Sequence, residues 1–306
     1  MRMRKLDLNI TPALRDGLDA ANLAGVQQIR ALTHTMRMGR DTGAPAMDTI
    51  NFAIPGPAGD IDARLYQPNG AQPGGPALIF FHGGGFVLGD LDTNDAFVRR
   101  LADAAGLAMI SVQYRLAPEA RWPAPLEDAL AATRWIIAHA GEMDIDGGRI
   151  GLAGDSAGGY LSIAVTGVLN AERPGAIAAQ VLLYPLLHID DDVWKTAVLT
   201  DSRILGRAAV AYIRTYCAHP DAAIPALAAA DFPPAPPTLV ITGGALDPIR
   251  PDARRYADEL EAAGVAVVRR EYPALPHGFG SFSHMLPASR PALAEIGGLA
   301  GEMMRR

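Results

Sequence analysis

The chain has 306 residues, 49% of them hydrophobic and 20% charged, a balance that gives a folded domain with a large core and excludes a disordered or fibrous chain. The net charge of −6 is spread without acidic or basic blocks, so no basic stripe is offered to nucleic acid, and Arg2, Arg4 and Lys5 read as a solvated terminus. Cys217 is the single cysteine, residues 1–12 lack an apolar core of signal-peptide length, and no apolar run nears the about 20 residues of a membrane span, so the expectation is a cytoplasmic, soluble protein without an intramolecular disulfide.

Residues 1–40 read as helical and precede any strand. Residues 49–54 and 60–67 flank the turn-forming stretch 55–59 and predict an antiparallel hairpin. Short apolar runs then follow at 77–82, 107–114, 149–153, 180–184, 238–242 and 265–272. Several are apolar on every residue, which is expected of parallel strands covered on both faces. Amphipathic stretches at 125–139 and 252–263 predict helices, the second closed by Gly264. The alternation predicts an α/β sheet with right-handed crossovers. Residues 188–229 are too long for a simple crossover and pair with 1–40 as a candidate lid; the Pro-rich stretch 232–237 would be a stiff return from it.

The strongest chemical signal is Gly154-Asp155-Ser156-Ala157-Gly158, with an apolar strand before it and a helix-compatible run at 160–169 after it. A sharp strand-to-helix turn strains the serine backbone, crowds out side chains at the flanking glycines and presents the hydroxyl at a helix N-terminus. This reads Ser156 as a nucleophile. His82-Gly83-Gly84-Gly85 follows the 77–82 strand directly. Backbone N–H groups bared by glycine suit the oxygen of a tetrahedral intermediate, where one preorganised donor is worth about 2.7–4 kcal/mol. The amides of Gly83, Gly84 and Ala157 are therefore expected to form an oxyanion hole. A phosphate loop would want Lys-Ser/Thr next, and Phe86-Val87 stand there instead. His82 is expected to brace the loop.

Deprotonating a serine requires a base near neutral pH, and a carboxylate to hold the imidazole in the right tautomer. Asp247 follows the 238–242 strand and His277 the 265–272 strand, giving the order Ser, Asp, His. Two rivals stand near them. Asp252 is expected to open a helix as an N-terminal acid, and His284 to pack or lie at the surface.

These pieces resemble the bacterial hormone-sensitive-lipase-like esterases, through His82-Gly-Gly-Gly-Phe86, Tyr114-Arg-Leu-Ala-Pro-Glu119, Gly154-Asp-Ser-Ala-Gly-Gly159, Asp247-Pro-Ile-Arg250 and Pro276-His-Gly-Phe279. The resemblance implies an α/β-hydrolase fold, with a mostly parallel eight-stranded sheet flanked by helices and a helical cap. It divides the chain into cap (1–45), core (46–187), cap (188–229) and core (230–306). It implies a carboxylesterase for short-to-medium acyl esters with no cofactor, and places the same residues in the triad and oxyanion hole. Three departures stand out: Tyr160 where the family usually has Asn, Pro251 where an acid often follows, and Ala245-Leu246 before Asp247. Tyr114–Glu119 and Glu127-Asp128 are expected to be structural ties between a strand end and the next helix.

Phe86, Tyr160, Leu186, Trp194, Tyr212 and Ile213 are candidate lining of an apolar substrate pocket. The expected partner is a small-molecule ester, with no nucleic acid and no membrane span, and the edge strand 265–272 is a candidate homodimer contact. No HExxH or paired-cysteine pattern marks a metal site. The competing readings are an amidase, lactonase or carbamate hydrolase on the same scaffold, and a non-catalytic small-ligand receptor, which would require a missing triad member.

Overall fold

The computed structural model describes residues 23–37, 43–187, 224–229 and 235–306. Eight strands form one sheet: β1 (Asp48–Gly56), β2 (Gly59–Gln67), β3 (Gly75–Phe81), β4 (Ala108–Val112), β5 (Ile145–Asp155), β6 (Gln180–Leu183), β7 (Thr238–Gly243) and β8 (Val267–Tyr272). Their spatial order is β1-β2-β4-β3-β5-β6-β7-β8. β1 and β2 form the expected hairpin and β2 meets β4 antiparallel; every pairing from β4 to β8 is parallel. The helices are α1 (Leu23–Arg37), α2 (Asp95–Ala105), α3 (Ala124–Ala138), α4 (Ala157–Glu172), α5 (Arg250–Ala262) and α6 (Ser289–Arg305).

The apolar strand runs are buried on both faces, and β3 shows how. Ala77, Ile79 and Phe81 enter the core layer shared with Leu161 and Val165 of α4 and Ala129 and Ile136 of α3. Leu78 and Phe80 point the other way, onto Phe97 and Leu101 of α2 and Leu293 and Ile296 of α6. The Phe80 and Phe97 rings meet edge to face, with centroids 5.4 Å apart. Such a strand has no face for water, which is why it lacks polar alternation. The edge strands differ: β1 is largely exposed and β8 is only partly buried along its length.

The expected tie between the end of β4 and α3 is present. Asp128, 1% exposed, accepts from the Arg115 backbone N at 2.9 Å and from its guanidinium, which also reaches Glu127 at 3.1 Å. The 188–229 crossover lies outside the described residues except for 224–229, as do residues 1–22 of the N-terminal segment. No helix among the described residues is long and apolar enough to cross a membrane. The carboxyl ends of β3, β5, β7 and β8 share one edge of the sheet, where a doubly covered sheet places its ligands.

Candidate active site

β5 runs directly into α4 through Ser156, whose backbone has φ 52° and ψ −114°. Three hydrogen bonds hold this strained turn: Ser156 N donates to Leu183 O (3.0 Å), while Ser156 O accepts from Tyr160 N (3.2 Å) and Leu186 N (3.0 Å). The glycines behave as expected. A Cβ on Gly154 would run into the Gly158 carbonyl, and one on Gly158 into the Phe81 carbonyl of β3. Backbone thus passes where side chains normally stand, and Ser156 is left partly exposed among buried neighbours.

His277 Nε2 lies 3.0 Å from Ser156 Oγ, and His277 Nδ1 lies 3.0 Å from Asp247 Oδ1. Asp247 sits on the turn after β7, its side chain fully buried. Oδ2 accepts from Gly243 N and Oδ1 from Ile249 N, both at 3.2 Å. A buried carboxylate with these donors and a histidine is fully engaged, as a buried charge must be. Tyr184 packs edge-on against the imidazole at 5.0 Å and accepts from Gly280 N at 3.1 Å, which fixes the histidine loop.

Neither rival approaches this group. Asp252 lies in the first turn of α5, paired with Arg255. His284 Nε2 lies 2.6 Å from Met36 O, fastening α1 to the chain after His277.

Of the three amides expected to face an oxyanion, Gly83 N donates to Asp155 Oδ1 at 2.6 Å, a short bond to a buried carboxylate that ties the glycine loop to the nucleophile turn. His82 braces as expected: it is fully buried, its ring stacks on Tyr114 at 4.4 Å, and Nδ1 lies 2.9 Å from Gly83 O. The Tyr114 hydroxyl donates to His82 O at 2.6 Å.

Of the candidate lining residues, Phe86, Tyr160 and Leu186 are at most 2% exposed. Phe86 and Tyr160 meet edge to face at 5.7 Å, and Trp122 completes the trio at 6.1 and 5.4 Å. Tyr160, the departure from Asn, donates its hydroxyl to Pro225 O at 2.8 Å. Burial pushes this phenol above its ordinary pKa, so it stays protonated as a donor. Trp194, Tyr212 and Ile213 lie outside the described residues.

Sequence reasoning missed three contributors: Asp155, Trp122 and Ser281. Asp155 joins three loops, through Gly83 N, its own place beside Ser156, and Ser281 Oγ at 3.3 Å. It stood in the Gly-x-Ser-x-Gly run as an unread position. Among the described residues no His/Cys/Asp/Glu group is placed to hold a metal ion.

A serine on a strained strand-to-helix turn, bonded to a histidine that is bonded to a buried aspartate, is the arrangement of a serine hydrolase. Comparison narrows the class. The family described as alpha/beta hydrolase fold matches residues 78–281. Esterase LipI of Mycobacterium tuberculosis is 37% identical over 92% of both chains, and an acetyl esterase of Salmonella schwarzengrund is 33% identical over 82% of this chain and 79% of its own. Among solved structures, an esterase of Pyrobaculum calidifontis superposes with TM-score 0.81 at 32% identity, covering 91% of this chain and 93% of its own. EstE1, a thermostable carboxylesterase from a metagenomic library, gives 0.79 at 31%, covering 92% and 98%. The chain belongs to the alpha/beta hydrolase fold family, among its hormone-sensitive-lipase-like esterases, and is a serine carboxylic-ester hydrolase.

Proposed function

We propose that the protein hydrolyses short-to-medium acyl carboxylic esters through Ser156, His277 and Asp247. The observation that carries this reading is the unbroken chain of contacts from Asp247 Oδ1 through the imidazole to Ser156 Oγ, 3.0 Å at each step. His277 Nε2 takes the Ser156 proton as Oγ attacks the ester carbonyl. Asp247 holds Nδ1–H and stabilises the imidazolium. The oxyanion forms against the amides of Gly84 and Ala157, the latter at the N-terminus of α4, where the helix dipole favours negative charge. Collapse gives the proton to the departing alcohol and leaves an acyl-serine. Water, deprotonated by His277, releases the acid.

Residues 1–45 and 188–229 form the cap in this reading. Its support is the anchoring of 224–229 to the core: Pro225 O accepts from Tyr160, Leu227 N donates to Leu187 O at 2.9 Å, and Ala229 N to Glu259 at 3.1 Å. With Phe86, Tyr160 and Leu186 as its floor, the apolar pocket is bounded. Each buried methylene gains about 0.8 kcal/mol until the pocket is full, and overpacking then costs about 1–3 kcal/mol. Along p-nitrophenyl esters from acetate to palmitate, kcat/KM therefore rises, peaks and falls; the peak is expected at roughly eight carbons or fewer, the range that the family resemblance implies. A maximum at palmitate overturns the short-acyl reading. A cytoplasmic location and a homodimer through β8 complete the proposal, supported by the single cysteine and by β8 ending the sheet order; sedimentation of the purified chain checks the dimer.

A further inference from the structure

We propose that Arg30, on α1, is a positioning residue for the oxyanion loop. This rests on the reading of Gly84 and Ala157 as the donors to the developing oxyanion.

The loop that follows β3 does not hold itself. Phe86, a bulky residue, sits at φ 62° in the left-handed region, a conformation that costs of order 1–3 kcal/mol and persists only where surroundings impose it. Three sets of contacts impose it. The Phe86 ring is gripped by Trp122 and Tyr160, and Phe86 O accepts from Ala117 N at 2.8 Å. The third set comes from 57 residues upstream. Arg30 Nε donates to Val87 O at 2.9 Å and Nη2 to Ala117 O at 2.7 Å, so one guanidinium spans both segments. Val87 N and Leu88 N in turn donate to Gly84 O at 3.1 and 2.9 Å. Gly84, whose N–H is the proposed donor, is therefore held through its own carbonyl, two hydrogen-bonded steps from Arg30.

Glu119 holds the guanidinium in place with a two-oxygen contact at 2.7 and 2.9 Å. The hydrogen bond from Arg30 lowers the Glu119 carboxyl from its ordinary value, so the pair is charged. Glu119 is 45% exposed, and an exposed ion pair by itself stabilises little. The consequential bonds are those to the Val87 and Ala117 carbonyls. They need a planar fork with several donors in fixed directions, which arginine has and lysine lacks. α1 thus contributes to rate as well as to covering the site.

The test uses the full-length enzyme and two substrates, an aryl acetate and its thionoester, in which C=S replaces C=O. Sulfur accepts hydrogen bonds weakly, so the oxyanion hole assists the thionoester less, and the wild type prefers the oxygen ester. Arg30→Met keeps the apolar stem and removes the donors. It lowers kcat on the oxygen ester about tenfold, a fraction of the about 10²–10³ lost with a whole donor. KM and the thionoester kcat stay within about twofold on the same reasoning. Glu119→Gln leaves the ratio near wild type. Equal losses on both substrates, or an unchanged kcat in folded Arg30→Met, overturn the inference. If Arg30→Met does not fold, Arg30→Lys is measured against the same criterion. A wild type with no preference for the oxygen ester overturns the oxyanion reading itself, whereas a preference that the variants leave unchanged overturns only the role of Arg30.

Discussion

The nucleophile turn and the oxyanion loop both hold strained backbone, Ser156 at φ 52° and Phe86 at φ 62°, but they are held in different ways. The Ser156 turn is set mainly by its near neighbours. Gly154 and Gly158 remove side chains so that α4 can press on the end of β3, and the remaining bonds come from β6 and the residues just after it. The oxyanion loop is set from a distance, by Asp155, Tyr114, Ala117 and Arg30. Strain that is enforced by exclusion of side chains needs small residues in a fixed local pattern. Strain that is enforced by donors and rings needs the whole fold to deliver them.

The largest effect expected from this contrast is at the nucleophile turn. Gly158→Ala puts a methyl group against the Phe81 and His82 carbonyls. Backbone cannot yield cheaply, so the change costs about 3 kcal/mol or more, the upper end of overpacking, read as a shift of the urea midpoint. An unchanged midpoint would show that close approach does not hold this turn. Asp155→Asn strikes the junction of the two regions. It keeps the shape and loses the charge that engages Gly83 N and Ser281, at a cost of about 1.5–3 kcal/mol. Its kcat falls about tenfold, as partial misplacement of oxyanion donors implies. A variant that loses stability alone would separate Asp155 from the site. Tyr114→Phe is the mildest, removing one bond from the oxyanion side at about 0.5–1.5 kcal/mol. Thermal unfolding and ester turnover, compared with wild type, check it; a larger loss than that of Gly158→Ala would reverse the comparison.

The same contrast explains what the sequence made legible. Ser156, Asp247 and His277, which the structure brings into one chain of contacts, could be singled out because each follows a strand with a local signature. The alternation of apolar runs and helices was enough for the parallel sheet, with most ends displaced by a residue or two, as in 265–272 against Val267–Tyr272 and 107–114 against Ala108–Val112, and the start of β5 by four, 149–153 against Ile145–Asp155. Two helices, α2 and α6, were not read. α6 carries Pro291, Gly297, Gly298 and Gly301, which look like breakers. Gly301 is there because α6 crosses α2 so closely that a Cβ would strike the Ala105 carbonyl, a fact of packing with no local trace. The partner of the Gly83 amide left no local trace either: only the fold brings Asp155, 72 residues later, within 2.6 Å.

In the proposed mechanism Ser156 Oγ is the atom that becomes acylated, activated by His277 and Asp247. Intact-mass and peptide mass spectrometry after reaction with a fluorophosphonate or diethyl p-nitrophenyl phosphate tests it most directly. One adduct per chain is expected, carried by the peptide containing Ser156, with loss of esterase activity in step with labelling. The adduct disappears in Ser156→Ala and forms orders of magnitude more slowly in His277→Ala. Labelling at another residue, or undiminished labelling and ester hydrolysis in Ser156→Ala, would contradict the account.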